Sequence, residues 1–200
     1  MKEIVINRPK QKRSQLKFDA ILQACPIVLA EFGFKKTTTA KIALEANIGI
    51  SSIYDYFSCK EAIIIAYFDS RLEKAMDQVA HEAKYSHRGP METMQTFIRA
   101  GLDFAKEQRH MIRVMVNEFP NDLAKINLES SKKKIAQIGL DFARNNDLPV
   151  AIDNFPLMTY CLTNIIIAFQ IRSVLAPDDT LEEELIAAEL TKIVSLYAGL

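Results

Sequence analysis

The sequence predicts an all-α protein, and three observations support this prediction. Apolar residues recur at i, i+3 and i+4 spacings along most of the 200-residue chain, which is the period of an amphipathic helix. Six glycines and seven prolines are few for the turns of a hairpin-rich β fold. Two sequences of the form Ser/Thr-x-x-Glu, which is typical of helix starts, begin at Ser58 and Thr180.

The first predicted helix runs from Leu16 to Phe32 and is followed by Gly33, a residue type that often ends helices. Its apolar face consists of Ile21, Leu22, Cys25, Val28, Leu29 and Phe32. Pro26 lies inside this helix, where it lacks a backbone N–H and crowds the preceding turn. We therefore expect a kink or a local break at Pro26 within a helix that continues.

A second helix is predicted from its N-cap, Thr38, to the turn residue Asn47. The residues from Ile48 to Phe57 are rich in β-branched and aromatic types, and propensity alone favours an edge strand there. Only about eight residues separate the turn from Ser58, which leaves room for the short second helix of a helix-turn-helix. We therefore predict a short helix instead of a strand.

The two faces of this short helix differ in polarity. The face expected to meet the core carries Ile48, Ile53 and Phe57, beside Ile42 and Ala43 of the preceding helix. The opposite face is expected to carry Ser51, Ser52, Asp55 and Tyr56.

Further helices are predicted over residues 59–84, 91–106, 111–119, 121–144, 155–175 and 181–198. The predicted domain boundary follows residue 58. Residues 1–58 would form an N-terminal arm and a helix-turn-helix domain, and residues 59–200 a helical body.

Charge is distributed unevenly, although the net charge of the chain is zero. Residues 1–60 contain ten Lys or Arg against five Asp or Glu, so the remainder is acidic overall. A basic head that contains a helix-turn-helix predicts nucleic-acid binding. Basic residues before the first helix would form an arm along the DNA backbone or in the minor groove, with a solvated tail as the alternative: Arg8, Lys10, Lys12 and Arg13.

Other classes of function find little support. His81, His87 and His110 lack the spacing of metal ligands, and no phosphate loop or nucleophile motif is present. We therefore expect no enzyme activity, no cofactor and no metal, with an all-α enzyme or a protein-interaction bundle as the alternative functions. Three cysteines without a CxxC pair, no signal peptide and no apolar run of spanning length predict a cytoplasmic protein.

The run from Ile21 to Ile63 resembles the DNA-binding domain of the tetracycline-repressor (TetR) family of bacterial transcription regulators. The resemblance rests on Ile21-Leu22, Gly33-Phe34, Thr37-Thr38, Ile42-Ala43, Tyr54, Tyr56-Phe57 and Lys60-Glu61 at matching spacing. Three positions depart from the family pattern. Ile50 replaces a frequent polar residue, and Ser51 and Asn47 each replace a frequent Gly.

The resemblance implies a set of DNA contacts: Arg13, Thr38, Thr39, Ile50, Ser51, Ser52, Tyr54, Asp55, Tyr56 and Lys60. Thr38 and Lys60 correspond to residues that hold phosphates, and the two serines to residues near base edges. Two positions have alternatives. Tyr54 could pack against the first helix, and Ile50 could be a core residue instead of contacting a thymine methyl.

The resemblance also implies a homodimer that binds double-stranded palindromic DNA and is released by a small, mostly apolar effector, with repression as the default. The last two helices, 155–175 and 181–198, are expected to form the dimer interface because they are apolar over much of their circumference. Effector contacts are expected among Phe104, Met111, Met115, Glu118, Tyr160 and Asn164, although most of these could be core residues.

Overall fold

The computed structural model describes residues 3–85, 89–121 and 183–198, together with 133–134, 137–138, 140–141, 144, 161, 164–165, 167–169, 171–172 and 174–175. Its named helices are α1 (Lys12–Lys36), α2 (Thr39–Glu45), α3 (Ile50–Tyr54), α4 (Lys60–Tyr85), α5 (Pro90–Glu107), α6 (Arg109–Glu118) and α7 (Glu183–Ala198). The prediction of an all-α protein is confirmed. The predicted helices over 121–144 and 155–175 lie largely outside the described residues.

Contacts divide the chain into two units. The first comprises Met1–Arg71 with Val114–Ile126, and the second comprises Leu72–Arg113 with Asn127–Leu200. Helix α4 contributes residues to both units. The predicted domain boundary after residue 58 stays a prediction.

Helix α1 supplies much of the core of the first unit. It begins at Lys12, four residues before the predicted start, and continues through Pro26. The residue whose backbone leaves the helical region is Gly33 (φ 69°, ψ 166°), so the local break expected at Pro26 is absent. Buried side chains of α1 are Phe18, Ile21, Leu22, Ala24, Cys25, Val28 and Leu29.

Helices α2 and α3 form the predicted helix-turn-helix. The Thr38 hydroxyl caps α2 by accepting a hydrogen bond from the Lys41 backbone N–H at 3.3 Å. Asn47 adopts the left-handed conformation (φ 53°) in the turn, as its residue type suggested. Residues 50–54 are helical, so the prediction of a short helix instead of an edge strand is confirmed.

The start of α4 differs from the sequence prediction. Its first helical residue is Lys60, so Cys59 and not Ser58 precedes the helix. The Ser58 hydroxyl donates to the Glu3 carbonyl at 2.8 Å and accepts from the Val5 N–H at 2.9 Å. The Ser58 hydroxyl therefore bonds to the N-terminal segment and does not form the predicted capping box.

In the second unit, α5 packs against α7. Ile98, Ala187 and Leu190 are buried together, and Leu102 and Ile186 pack against them. Arg99 and Glu184 form an exposed ion pair at 3.0 Å between the same two helices. No helix in the described part of the chain is long and apolar enough to cross a membrane.

Candidate nucleic-acid interface

The recognition helix, by which we mean α3, is held by one buried side chain. Ile53 is completely buried, whereas Ile50 and Tyr54 are 46 % and 56 % exposed. The polar residues of the helix are also accessible, with Ser51 exposed and Ser52 half-buried. Neither Ile50 nor Tyr54 is therefore a core residue. The outer face of α3 therefore presents Ile50, Ser51 and Tyr54 to solvent.

A hydroxyl pair joins the two helices of the motif. The Thr39 Oγ1 and Tyr54 Oη atoms lie 3.0 Å apart, with either atom able to donate. Thr39 is in the first turn of α2 and Tyr54 is the last residue of α3. One of the two hydroxyl protons is used within the pair, so the other can donate to an outside acceptor such as a phosphate oxygen.

Tyr56 occupies a different position from the one predicted. Its side chain is buried and its ring makes an edge-on contact with Phe18 at 5.8 Å between centroids. Phe18 also stacks on Phe57 at 4.8 Å. The helical phase that placed Tyr56 on the outer face does not extend to it, because α3 ends at Tyr54. The neighbouring Asp55 is exposed, as expected.

Lys60 supports the end of α1. Its Nζ atom donates to the carbonyls of Phe34 at 2.6 Å and Thr37 at 3.2 Å, and lies 3.9 Å from the centre of the Phe34 ring. An ammonium group has three N–H donors, so one is left for a phosphate. Lys41 makes a similar contact, donating to the Lys36 carbonyl and lying 3.6 Å from the centre of the Phe32 ring.

The basic residues before α1 and in its first turn have different environments in the structure. Lys10, Lys12 and Arg13 are exposed, and Arg13 is the second residue of α1. Arg8 instead lies 3.7 Å from the carboxylate of Asp69, a side chain on α4 that is almost buried.

Residues 3–7 pair with the chain just after the recognition helix. Ile6 and Phe57 form an antiparallel bridge, and the Asn7 N–H donates to the Tyr56 carbonyl at 2.8 Å. Sequence reasoning missed this contact. The one available signal was the β-branched run Ile4-Val5-Ile6, which favours extended backbone.

The residues expected to contact an effector have varied environments. Met111 and Met115 are buried, Phe104 is half-buried, and Glu118 and Asn164 are exposed. Tyr160 lies outside the described residues. Met111 belongs to the second unit and Met115 to the first.

Three comparisons relate this chain to known proteins. Residues 21–67 match the family model described as bacterial regulatory proteins, tetR family. The fatty acid metabolism regulator protein of Bacillus subtilis is 33 % identical over 75 residues, which are 38 % of this chain and 38 % of that protein. The chain thus spans well under half the length of this curated relative.

Solved structures extend the similarity of the fold to most of the chain. The transcriptional regulator FadR from Bacillus subtilis in complex with stearoyl-CoA matches with a TM-score of 0.65 and 17 % identity, covering 90 % of this chain and 98 % of that one. Thermus thermophilus FadR, a TetR-family repressor in complex with lauroyl-CoA, matches with a TM-score of 0.65 and 18 % identity, covering 90 % and 92 %.

The matched residues 21–67 contain α2, the turn at Asn47 and α3, whose exposed outer face is described above. The family consists of transcription regulators and not of enzymes. Residues 21–67 of this chain, which contain the helix-turn-helix, are thus similar to the TetR family of bacterial regulatory proteins.

Proposed function

We propose that this protein is a ligand-responsive repressor that binds a palindromic operator as a homodimer and leaves it when a mostly apolar effector binds. The observation that carries the proposal is the recognition helix, in which Ile53 is the one buried side chain and Ile50, Ser51 and Tyr54 are exposed. Exposed apolar and aromatic side chains on so short a helix need a reason, and contact with a DNA groove supplies one.

The proposed DNA contacts fall into two groups. Ser51, Ser52 and Ile50 would approach base edges, where Ile50 can contact a thymine methyl. The residues proposed to hold phosphates are Arg13, Thr38, Thr39, Tyr54 and Lys60. Asp55 is also proposed to lie at the DNA, but its carboxylate can only accept hydrogen bonds and would repel a phosphate. Tyr56 is left out of the proposed set because its ring is buried.

The proposal of a homodimer is supported by the exposed apolar residues of α7. Leu185, Ile193 and Leu196 recur at eight- and eleven-residue spacings, which place them on one side of a helix. Leu185 is 59 % exposed and Leu196 is 79 % exposed. A second copy of the chain would cover this face, and two recognition helices would then read the two halves of a palindrome.

For the effector we propose a fatty acyl thioester. The support is the fold similarity to two regulators whose structures contain stearoyl-CoA and lauroyl-CoA, together with a curated relative named for fatty acid metabolism. An acyl chain agrees with the mostly apolar effector that the family resemblance implies. Because α4 contributes residues to both units, a ligand that favours one arrangement of this helix would shift the population of the DNA-bound form.

The experiment is a fluorescence-anisotropy titration of the whole protein with DNA from upstream of its own gene, over a salt series. We expect a palindromic segment to bind at least about a thousandfold more tightly than scrambled DNA. Stearoyl-CoA and lauroyl-CoA should release the segment, whereas free coenzyme A should not. Equal affinity for palindromic and scrambled DNA at every salt concentration contradicts a sequence-specific regulator. Release by neither thioester contradicts the effector class alone.

A further inference from the structure

The N-terminal clip, by which we mean residues Glu3–Asn7, is tied to the residues that follow the recognition helix. The Ser58 N–H donates to the Val5 carbonyl at 3.2 Å, and the Asn7 N–H donates to the Tyr56 carbonyl at 2.8 Å. The Asn7 side-chain amide adds a bond to the Asp55 carbonyl at 3.3 Å. The clip therefore pairs with the backbone from residue 55 to residue 58, directly after α3.

Ser58 makes three of the hydrogen bonds in this pairing. Its hydroxyl accepts from the Val5 N–H and donates to the Glu3 carbonyl, while its own N–H bonds to Val5. Beyond the clip, Arg8 lies 3.7 Å from Asp69 on α4. The extended segment is thus held at both of its ends.

The clip matters because α3 cannot be stable on its own. A helix of five residues has too few hydrogen bonds to offset the entropy of its nucleation. Its last bonds run from the Tyr56 and Phe57 N–H groups to the Ile53 carbonyl, at 3.0 and 2.8 Å. Tyr56 and Phe57 are the same residues that the clip pairs with.

We propose that Ser58 is a positioning residue: by holding the clip against residues 55–58, it fixes the recognition helix for base reading without contacting DNA itself. The DNA part of this inference rests on the proposed function. The clip acts here as a structural brace and not as a basic arm. Residues 2–7 contain one Lys and one Glu, so their removal leaves the net charge of the chain unchanged.

The first measurement is hydrogen exchange in the free protein, which needs no DNA. Ser58→Ala and a deletion of residues 2–7 should each speed exchange of the Tyr56 and Phe57 amides, while Ser58→Thr, which keeps the hydroxyl, should restore protection. Ser70→Ala, at a half-buried serine on α4, is the matched control and should change neither amide. Unchanged protection of both amides in Ser58→Ala and in the deletion overturns the proposal.

The second measurement is the affinity for the operator and for scrambled DNA over a salt series. Loss of the hydroxyl bonds should weaken operator binding about three- to tenfold, because that is the usual effect of one or two hydrogen bonds. Affinity for scrambled DNA and the salt slope should not change, because no phosphate contact is lost. Ser58→Thr should recover operator affinity. If Ser58 had only a structural role, Ser58→Ala would lower the melting temperature and weaken binding to both DNAs equally.

Two results of the DNA measurement overturn the proposal. One is faster exchange in Ser58→Ala with unchanged operator affinity. The other is a deletion that weakens both DNAs equally and lowers the salt slope, since the segment would then contact phosphates. If the unaltered protein binds no palindrome, the proposed function fails, whereas the exchange measurement still decides whether the clip orders the recognition helix.

Discussion

The hydroxyl oxygens of Thr39 and Tyr54 lie 3.0 Å apart, joining the first turn of α2 to the last residue of α3. Both residues belong to the proposed DNA-binding face. Because the pair keeps one proton for an outside acceptor, its two members should act on DNA as a unit.

A double-mutant cycle with Thr39→Val and Tyr54→Phe tests this coupling. Each variant should weaken operator binding by about 0.5–1.5 kcal/mol, and the double variant by less than the sum, because either change breaks the same bond. Anisotropy titrations give the operator affinity of the original protein, of each single variant and of the double variant. Strictly additive losses would show that the two hydroxyls contact DNA independently.

Substitutions at Asn47 test the turn between α2 and α3. Its backbone has φ 53°, which Gly adopts freely and a β-branched residue does not. Asn47→Val should lower the free energy of unfolding by about 1–2 kcal/mol, whereas Asn47→Gly should stay within about 0.5 kcal/mol of the original. Urea denaturation measures both. Equal destabilisation by Gly and Val would mean that the Asn side chain, and not the dihedral angle, sets stability.

Lys60→Met separates the two roles of Lys60. Two N–H donors bond to the carbonyls of Phe34 and Thr37, so the variant should lose about 1 kcal/mol of stability. If the third donor meets a phosphate, the slope of log affinity against log salt should also fall by about 0.9. The control is Lys35→Met, an equal charge change at an exposed residue of α1, which should cost little stability. A stable Lys60→Met protein contradicts the structural role.

The three thiols should differ in reactivity. Burial raises the pKa of Cys25 to about 12, burial also raises the pKa of Cys59, and Cys161 is exposed. Iodoacetamide at pH 8, followed by mass spectrometry, should therefore modify Cys161 first and Cys25 last, because the thiolate is the reacting form. Modification of Cys25 at the rate of Cys161 would show that the first unit opens readily.

The same burial gives a pH dependence to stability. Folding keeps the Cys25 thiol protonated, whereas the thiol of an unfolded cysteine has its ordinary pKa of about 9. The stability linked to this group is therefore present below pH 9 and is lost progressively as the pH rises from 9 towards 12. Unfolding free energies should fall less steeply with pH in Cys25→Ala than in the original protein above pH 9. Parallel curves would contradict the linkage.

Leu196→Glu tests the proposed dimer. This side chain is 79 % exposed on α7, and a charge there should oppose burial against a second copy. Sedimentation should show a shift towards monomer and a corresponding loss of operator affinity. Asn117→Glu, an equal change of charge at an exposed residue of α6, controls for the added charge. A Leu196→Glu protein that remains a dimer would exclude this part of α7 as the interface.

Local chemistry explains which features the sequence could predict. The cap at Thr38, the left-handed turn at Asn47 and the end of regular helix at Gly33 each depend on the residue itself and its near neighbours. The choice of a helix over a strand at Ile50–Tyr54 depended on the short distance between flanking signals. Such features can be deduced without knowledge of the tertiary structure.

Long-range partners explain what the sequence could not predict. Ser58 has the spacing of a capping box, but its hydroxyl bonds to residues more than 50 positions away. Lys60 likewise meets carbonyls at Phe34 and Thr37. Tyr56 was assigned to the outer face by extending a helical period past Tyr54, where the helix ends. Distant contacts therefore determined the outcome for Ser58 and Lys60, and the end of the helix determined it for Tyr56.

The single buried anchor of α3 has an evolutionary consequence. Because Ile53 is the one fully buried side chain of α3, substitutions at Ile50, Ser51 and Tyr54 remove less buried surface than a substitution at Ile53 would. We therefore expect natural variation at these three positions to be less constrained by folding than variation at Ile53, and more open to selection for operator sequence. Related regulators that share this scaffold can diverge in the genes they control through changes at a few solvent-facing residues, without first acquiring stabilising mutations elsewhere.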